Sequence, residues 1–263
     1  MGRLAETFAR LRAAHAPGLV TYVTAGDPNL EETSRILIAL ARSGADVLEV
    51  GVPFSDPLAD GPVIQRASER ALASGTTLRK TLEMIRSIRH DVPAPIVLFT
   101  YANPVARLGD EAFVTAAAAA GVDGVLVLDL PVEEAGPFRE GLRRAELDLI
   151  FLLSPTTTDD RMRRSAELGS GFLYVISRLG VTGARDRLAE DAEALVRRVR
   201  AQTDLPVAIG FGISRPEHVA EVARWADAAV VGSALVNVIA EHGRAPDVAG
   251  RAGAYVRWLK GAA

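Results

Sequence analysis

Two carboxylates, Glu49 and Asp60, share the stretch LEVGVPFSDPLADGPVIQ at 48–65. Glu49 closes a short apolar run. Asp60 lies in a loop that Gly51, Pro53, Pro57, Gly61 and Pro62 keep out of any regular element, because proline lacks an amide donor and glycine relaxes the backbone. A carboxylate at the end of a buried strand and another on a shaped loop are suited to acid–base work. Taken singly, each acid also reads as a strand cap or a solvated turn residue, and its surroundings decide between the readings. A second chemistry-bearing pair lies near the C-terminus, in IGFGIS at 209–214 and VGSALV at 231–236. Glycines there let backbone amides approach an oxyanion, and a helix N-terminus following Gly232-Ser233 adds its positive dipole end. Simple turn chemistry is the alternative for either glycine site alone.

The elements that would position these residues recur along the chain. Short apolar runs at 18–24, 45–50, 95–100, 123–128, 147–153, 171–176, 206–209 and 227–231 read as strands. Helical spacing appears at 3–14, 30–43, 64–73, 77–90, 110–120, 133–145, 158–168, 189–201, 215–225, 233–241 and 247–260. The runs lack apolar–polar alternation, as parallel strands covered on both faces do. Eight strand–helix units over 263 residues predict one (β/α)8 barrel domain spanning 1–263, with extra short helices at the N-terminus and in the loops after the second and eighth strands. An open doubly wound sheet would more usually show a glycine-rich fingerprint after its first strand, and GDP at 26–28 is not one.

A barrel gathers its active site at the C-terminal strand ends, and phosphate is commonly held after the seventh and eighth strands. Gly212, Gly232 and Ser233 fall at that corner, and Gly183 in the loop after the sixth strand could close it. Arg178 and Thr182 share that loop, which together with the Asp60 loop could form a lid. Tyr22, Phe99, Leu126, Leu152, Tyr174 and Phe211 sit near strand ends, where they could bind a flat aromatic group or simply fill the core. Tyr174 stands out because a buried hydroxyl needs a partner.

Composition narrows the chemistry. There is no cysteine, which removes disulfides, thiolate metal sites and thiol nucleophiles, and fits a reducing, cytoplasmic setting. Lys80 and Lys260 are poorly placed for a Schiff base, and His15, His90, His218 and His242 have no metal-ligand spacing. No metal is therefore expected. A net charge of −3 without long single-sign runs argues against a nucleic-acid surface, and the absence of long apolar runs argues against a membrane span. The N-terminal 1–17 is charged and amphipathic, unlike a secretory signal.

The motifs in order, GDP at 26–28, the 48–65 stretch, YANP at 101–104, DLPVEE at 129–134, SRLGVTG at 177–183, GFGIS at 210–214 and VGSA at 232–235, resemble the tryptophan synthase α subunit family over nearly the whole chain. Tyr22 stands where phenylalanine is common in that family. The resemblance implies retro-aldol cleavage of indole-3-glycerol phosphate to indole and glyceraldehyde 3-phosphate. It makes Glu49 the acid for indole C3 and then the base for the carbinol hydroxyl, with Asp60 at the indole N–H. Thr182 would set the position of Asp60, and Tyr174 would line the site. Gly183, Gly212, Gly232 and Ser233 would hold the phosphate. A glutamate among apolar groups has a raised pKa, which allows both acid and base roles near neutrality. The resemblance further implies no cofactor in this chain and a pyridoxal-phosphate β subunit as partner in an α2β2 assembly, with Ser55, Asp56, Pro57, Asn103 and Pro131 facing it. A stand-alone indole-releasing lyase, another phosphate-binding barrel, and a catalytically silent regulatory subunit are the rival readings.

Overall fold

The computed structural model describes residues 2–177, 185–210, 212–243 and 245–261, with the side chains of 185–190 outside the description. Eight strands form the ring: β1 (Gly18–Thr24), β2 (Val47–Gly51), β3 (Ile96–Thr100), β4 (Gly124–Val127), β5 (Asp148–Leu153), β6 (Leu173–Ile176), β7 (Val207–Gly210) and β8 (Ala228–Val231). They pair in chain order, all parallel, and β8 closes on β1. The expected (β/α)8 barrel is the observed one.

Side-chain direction alternates along every strand although both faces are apolar. Leu19, Val23, Leu48, Val50, Ile96, Leu98, Val125 and Val127 point outward into the cluster beneath the helices. Val20, Val47, Val97, Leu126 and Ile150 point inward to fill the barrel. The lower opening is closed by α1 (Arg3–Ala13), whose Leu4, Phe8 and Leu11 join the inner cluster. The Phe8 ring packs on Phe172 with centroids 5.5 Å apart.

The same end carries a fourfold hydrogen-bond motif. A polar residue just before each even strand grips the preceding odd strand reciprocally. Asp46 Oδ2 accepts from Leu19 N at 2.9 Å while its own amide donates to Leu19 O at 2.8 Å. Asp123 does this with Ile96, Ser170 with Leu149, and Asp227 with Val207. These bonds satisfy strand-start amides that no helix or ladder reaches.

Most helices lie where spacing predicts them. The chain enters α2 (Leu30–Arg42) through Asn29, whose side chain accepts from Glu32 N, and α4 (Leu78–Ile88) through Thr77 in the same way. In α3 (Pro62–Ala73), proline occupies the first turn, where its missing N–H costs nothing, so the helix starts directly after the Asp60 loop. Among the described residues, the one unforeseen helix is α5 (Ala102–Leu108). Pro104 reads as a breaker in sequence, but it falls within the first helical turn, where proline is tolerated. The remaining helices are α6 (Asp110–Ala120), α7 (Gly136–Arg144), α8 (Asp159–Leu168), α9 (Arg185–Arg200), α10 (Pro216–Val222), α11 (Ser233–His242) and α12 (Val248–Leu259). The last is bolted across the start of β2. Arg257 donates to Ser43 Oγ at 2.8 Å, and Lys260 Nζ to Asp46 Oδ2 at 2.6 Å.

Candidate active site

At the C-terminal end of the barrel lies a cavity of about 390 Å³. Its walls come from inward-pointing residues at the strand tops and from the loops above them. Tyr22 of β1, Phe99 of β3, Leu128 after β4, Leu152 of β5, Tyr174 of β6 and Val230 of β8 form the apolar sides. Tyr22 meets Phe99 edge-on, with ring centroids 5.3 Å apart and planes at 78°. The Tyr22 hydroxyl shares a 3.3 Å hydrogen bond with Thr24 Oγ1 and lies over Gly51, where a Cβ would stand 2.1 Å from it. Gly51 is therefore required by the tyrosine above it.

Glu49 lies on β2 in register with Tyr22 of β1. It is 0% exposed, and neither carboxyl oxygen has a hydrogen-bond partner. It does not line the cavity but sits against the aromatic wall, close enough for its charge to help raise the Tyr22 and Tyr174 hydroxyls, which burial raises most. Burial pushes the Glu49 carboxyl up to about 8. Near neutral pH it therefore holds its proton, with the ionised form within easy reach.

Asp60 lines the cavity. Burial raises its pKa, and the Tyr101 hydroxyl, donating to Oδ2 at 2.9 Å, offsets part of that rise. Tyr101 in turn packs on Phe54 with centroids 5.0 Å apart. The loop is pinned from α3 by Gln65, whose Nε2 donates to Asp60 O at 2.9 Å and to Pro57 O at 3.4 Å. Deeper support comes from Arg70 of the same helix, which forms a fork on Asp27 at 2.8 and 2.7 Å.

Across the cavity, Gly210 at the end of β7 and Gly212 just after it meet Gly232, Ser233 and Ala234 at the start of α11. No side chain caps α11, whose first-turn amides lack intrahelical partners. Gly212 takes φ +79, which glycine adopts without strain, and leaves open space where a Cβ would be. Backbone amides with a helix dipole make an anion site.

Tyr22, Phe99, Leu152, Tyr174, Asp60, Gly212, Gly232 and Ser233 thus gather around one cavity, with Glu49 behind its wall. Arg178, Thr182, Gly183 and Phe211 lie outside the described residues. Leu126 is placed differently from the sequence expectation. It is 0% exposed in the barrel interior, one inward position below Leu128, which takes its place in the wall. Continuing the period of two past Leu126 identifies Leu128. Asn237 also lines the cavity, and its spacing of one helical turn from Ser233 is the signal for it. Tyr101 stands in the YANP motif, where the strand end points to it. Ser55, Asp56 and Asn103 are exposed, whereas Pro57 and Pro131 are half-buried. Ser55 and Asn103 border one groove, and Pro131 borders a separate depression. Among the described residues, no group of three or more acids and histidines is placed to hold a metal ion, and no helix is long and apolar enough to cross a membrane.

The profile of the family described as tryptophan synthase alpha chain matches residues 8–258. The chain belongs to the tryptophan synthase alpha chain family. A family member from Geotalea uraniireducens (strain Rf4) is 50% identical over 260 residues, covering 99% of this chain and 97% of that one. The crystal structure of tryptophan synthase subunit alpha from Legionella pneumophila str. Paris superposes with a TM-score of 0.92 at 40% identity, covering 100% of this chain and 98% of that one. A tryptophan synthase a2b2 complex from Pyrococcus furiosus gives a TM-score of 0.87 at 41% identity, covering 93% and 98%. Membership in the tryptophan synthase alpha chain family places the chain among carbon–carbon lyases of tryptophan biosynthesis, as the synthase subunit for cleavage of indole-3-glycerol phosphate.

Proposed function

We propose that the cavity performs this retro-aldol cleavage with Glu49 alone moving protons at the reacting carbons. The observation that carries the reading is a carboxyl 0% exposed, without a hydrogen-bond partner and raised to about 8, beside a cavity with a second carboxyl on one side and a backbone anion corner on the other. The substrate's phosphate docks on the amides around Gly212, Gly232 and Ser233, and Gly183 belongs to the same corner. Its indole lies between the aromatic and aliphatic walls, with its N–H toward Asp60. Glu49 enters the cavity when the substrate is bound. Having no hydrogen bond to surrender, it moves at little cost.

Neutral Glu49 gives its proton to indole C3, and the positive charge that forms on the ring nitrogen faces Asp60. The Glu49 carboxylate then takes the proton of the carbinol hydroxyl. That O–H electron pair becomes the aldehyde C=O. The carbon–carbon bond breaks, and its electrons restore the neutral indole ring. Glu49 ends protonated, as it began. Tyr101 keeps Asp60 oriented, while Arg178 and Thr182 are given supporting roles. The chain itself needs no cofactor in this scheme. Pyridoxal phosphate resides in a β subunit, with which this chain forms an α2β2 assembly through the face bearing Ser55, Asp56, Pro57, Asn103 and Pro131, in the cytoplasm. The exposed Leu58, at 91%, adjoins that face and gives it an apolar contact point.

The test is indole release from indole-3-glycerol phosphate by the purified chain and by Glu49→Gln, each with and without a β subunit. Slow turnover, accelerated by the β subunit and abolished in Glu49→Gln, is the expected result. Fast turnover indifferent to the β subunit identifies a stand-alone lyase instead. Absence of turnover under every condition leaves the silent regulatory subunit.

A further inference from the structure

The anion corner is built from backbone, so it has no side chain that can readjust. The aim of its amides is set by whatever fixes the turn after β7. On the strand side, Gly210 O accepts from Ser177 N at 3.3 Å. Inside the turn, Ile213 is anchored at 2% exposure. On the exit side, the peptide groups of Ser214 are gripped twice by side chains from other elements. Ser214 N donates to His218 Nδ1 at 3.3 Å, and Ser214 O accepts from the Tyr255 hydroxyl at 2.9 Å.

The two grips differ in origin. His218 stands in the first turn of α10, where its ring reaches back past the N-cap Arg215 to the amide of Ser214. Tyr255 comes from α12, far along the chain. It packs on Trp258, with ring centroids 5.7 Å apart, and burial raises its hydroxyl pKa, so the group donates throughout the working range. Arg257 and Lys260 fasten α12 to Ser43 and Asp46 beside β2. Tyr255 therefore transmits a fixed point on one side of the barrel to the turn on the other.

We propose that His218 and Tyr255 are positioning residues for the phosphate. By holding Ser214 on both sides, they keep the amides of 212 and 213 aimed at the substrate's phosphate dianion, and α12 serves as the brace. This inference rests on the reading of the glycine corner as the phosphate site. The contact is made equally in ground and transition states, so its loss weakens binding and spares turnover.

The experiment compares the full-length chain with His218→Ala, His218→Asn and Tyr255→Phe. It measures kcat and KM for indole-3-glycerol phosphate and competitive inhibition by glycerol 3-phosphate and by indole. A hydrogen bond of ordinary strength corresponds to roughly a fivefold to tenfold effect. His218→Ala and Tyr255→Phe should raise KM and the glycerol 3-phosphate inhibition constant by about that factor. Their kcat and indole inhibition should stay within about twofold of the unsubstituted chain. His218→Asn should restore binding, because its amide oxygen can accept where Nδ1 did. Unchanged glycerol 3-phosphate inhibition in both variants overturns the proposal, as does an equal loss of indole affinity or a His218→Asn no better than alanine. If glycerol 3-phosphate fails to compete even with the unsubstituted chain, the phosphate reading itself falls.

Discussion

Replacing Glu49 with glutamine should make the folded chain more stable as the pH rises. The folded carboxyl titrates near 8 because it is fully buried, against an ordinary value of 4.5. Between these values the folded state keeps a proton that the unfolded chain has lost, so stability falls as pH rises through the window. The loss attributable to Glu49 is roughly 1 kcal/mol at pH 5, about 3 kcal/mol at pH 7 and between about 4 and 5 kcal/mol at pH 8.5. Glutamine has nearly the same shape and no such equilibrium. Its buried amide adds an offset but no slope. The assay is urea unfolding of both proteins at intervals from pH 5 to 8.5, with the difference in unfolding free energy plotted against pH. Titration of the other groups cancels in that difference. The variant should gain on the parent by about 3–4 kcal/mol across the range. Two parallel stability curves would refute the claim that this carboxyl is buried, unpartnered and protonated near neutrality. They would also remove the reason for casting it as the proton donor.

Three further predictions concern the supports of the site. Tyr101→Phe removes the hydroxyl that lowers the Asp60 pKa, so the acid limb of the kcat/KM profile should move to higher pH, with a loss in kcat of about tenfold. Arg70→Ala leaves the Asp27 carboxylate, 4% exposed, without its fork, and should cost about 2–3 kcal/mol in denaturant unfolding. Phe8→Ala opens a void under the barrel against Phe172 and should cost about 3–5 kcal/mol in the same assay, while leaving KM near its parent value.

The ring was legible in the sequence because parallel strands covered on both faces are apolar runs separated by helical spacing, and the eight runs coincide with the eight strands to within a few residues. Glu49 and the glycine turns could be located because strand ends are easy to place. What the sequence concealed depends on direction. Leu126 and Leu128 differ by one inward step, so one is barrel filling and the other is cavity wall, and residue type does not separate them. Pro104 suppresses a helix reading unless the start at Ala102 is known. Gln65, Arg70, His218 and Tyr255 act through contacts to backbone or to acids distant in the chain, and nothing in their local spacing announces those partners.

Each reciprocal grip at the lower rim joins an odd strand to the even strand that follows it: β1 to β2, β3 to β4, β5 to β6, β7 to β8. The ring is thereby tiled by four β–α–β quarters, and the chain has natural seams between them. A break or new terminus placed between β2 and β3 leaves every grip inside an intact piece. A break between β1 and β2 separates Leu19 from Asp46. Fragment complementation, circular permutation and exchange of quarters with other barrels should therefore tolerate cuts that respect this parity and fail at those that cross it.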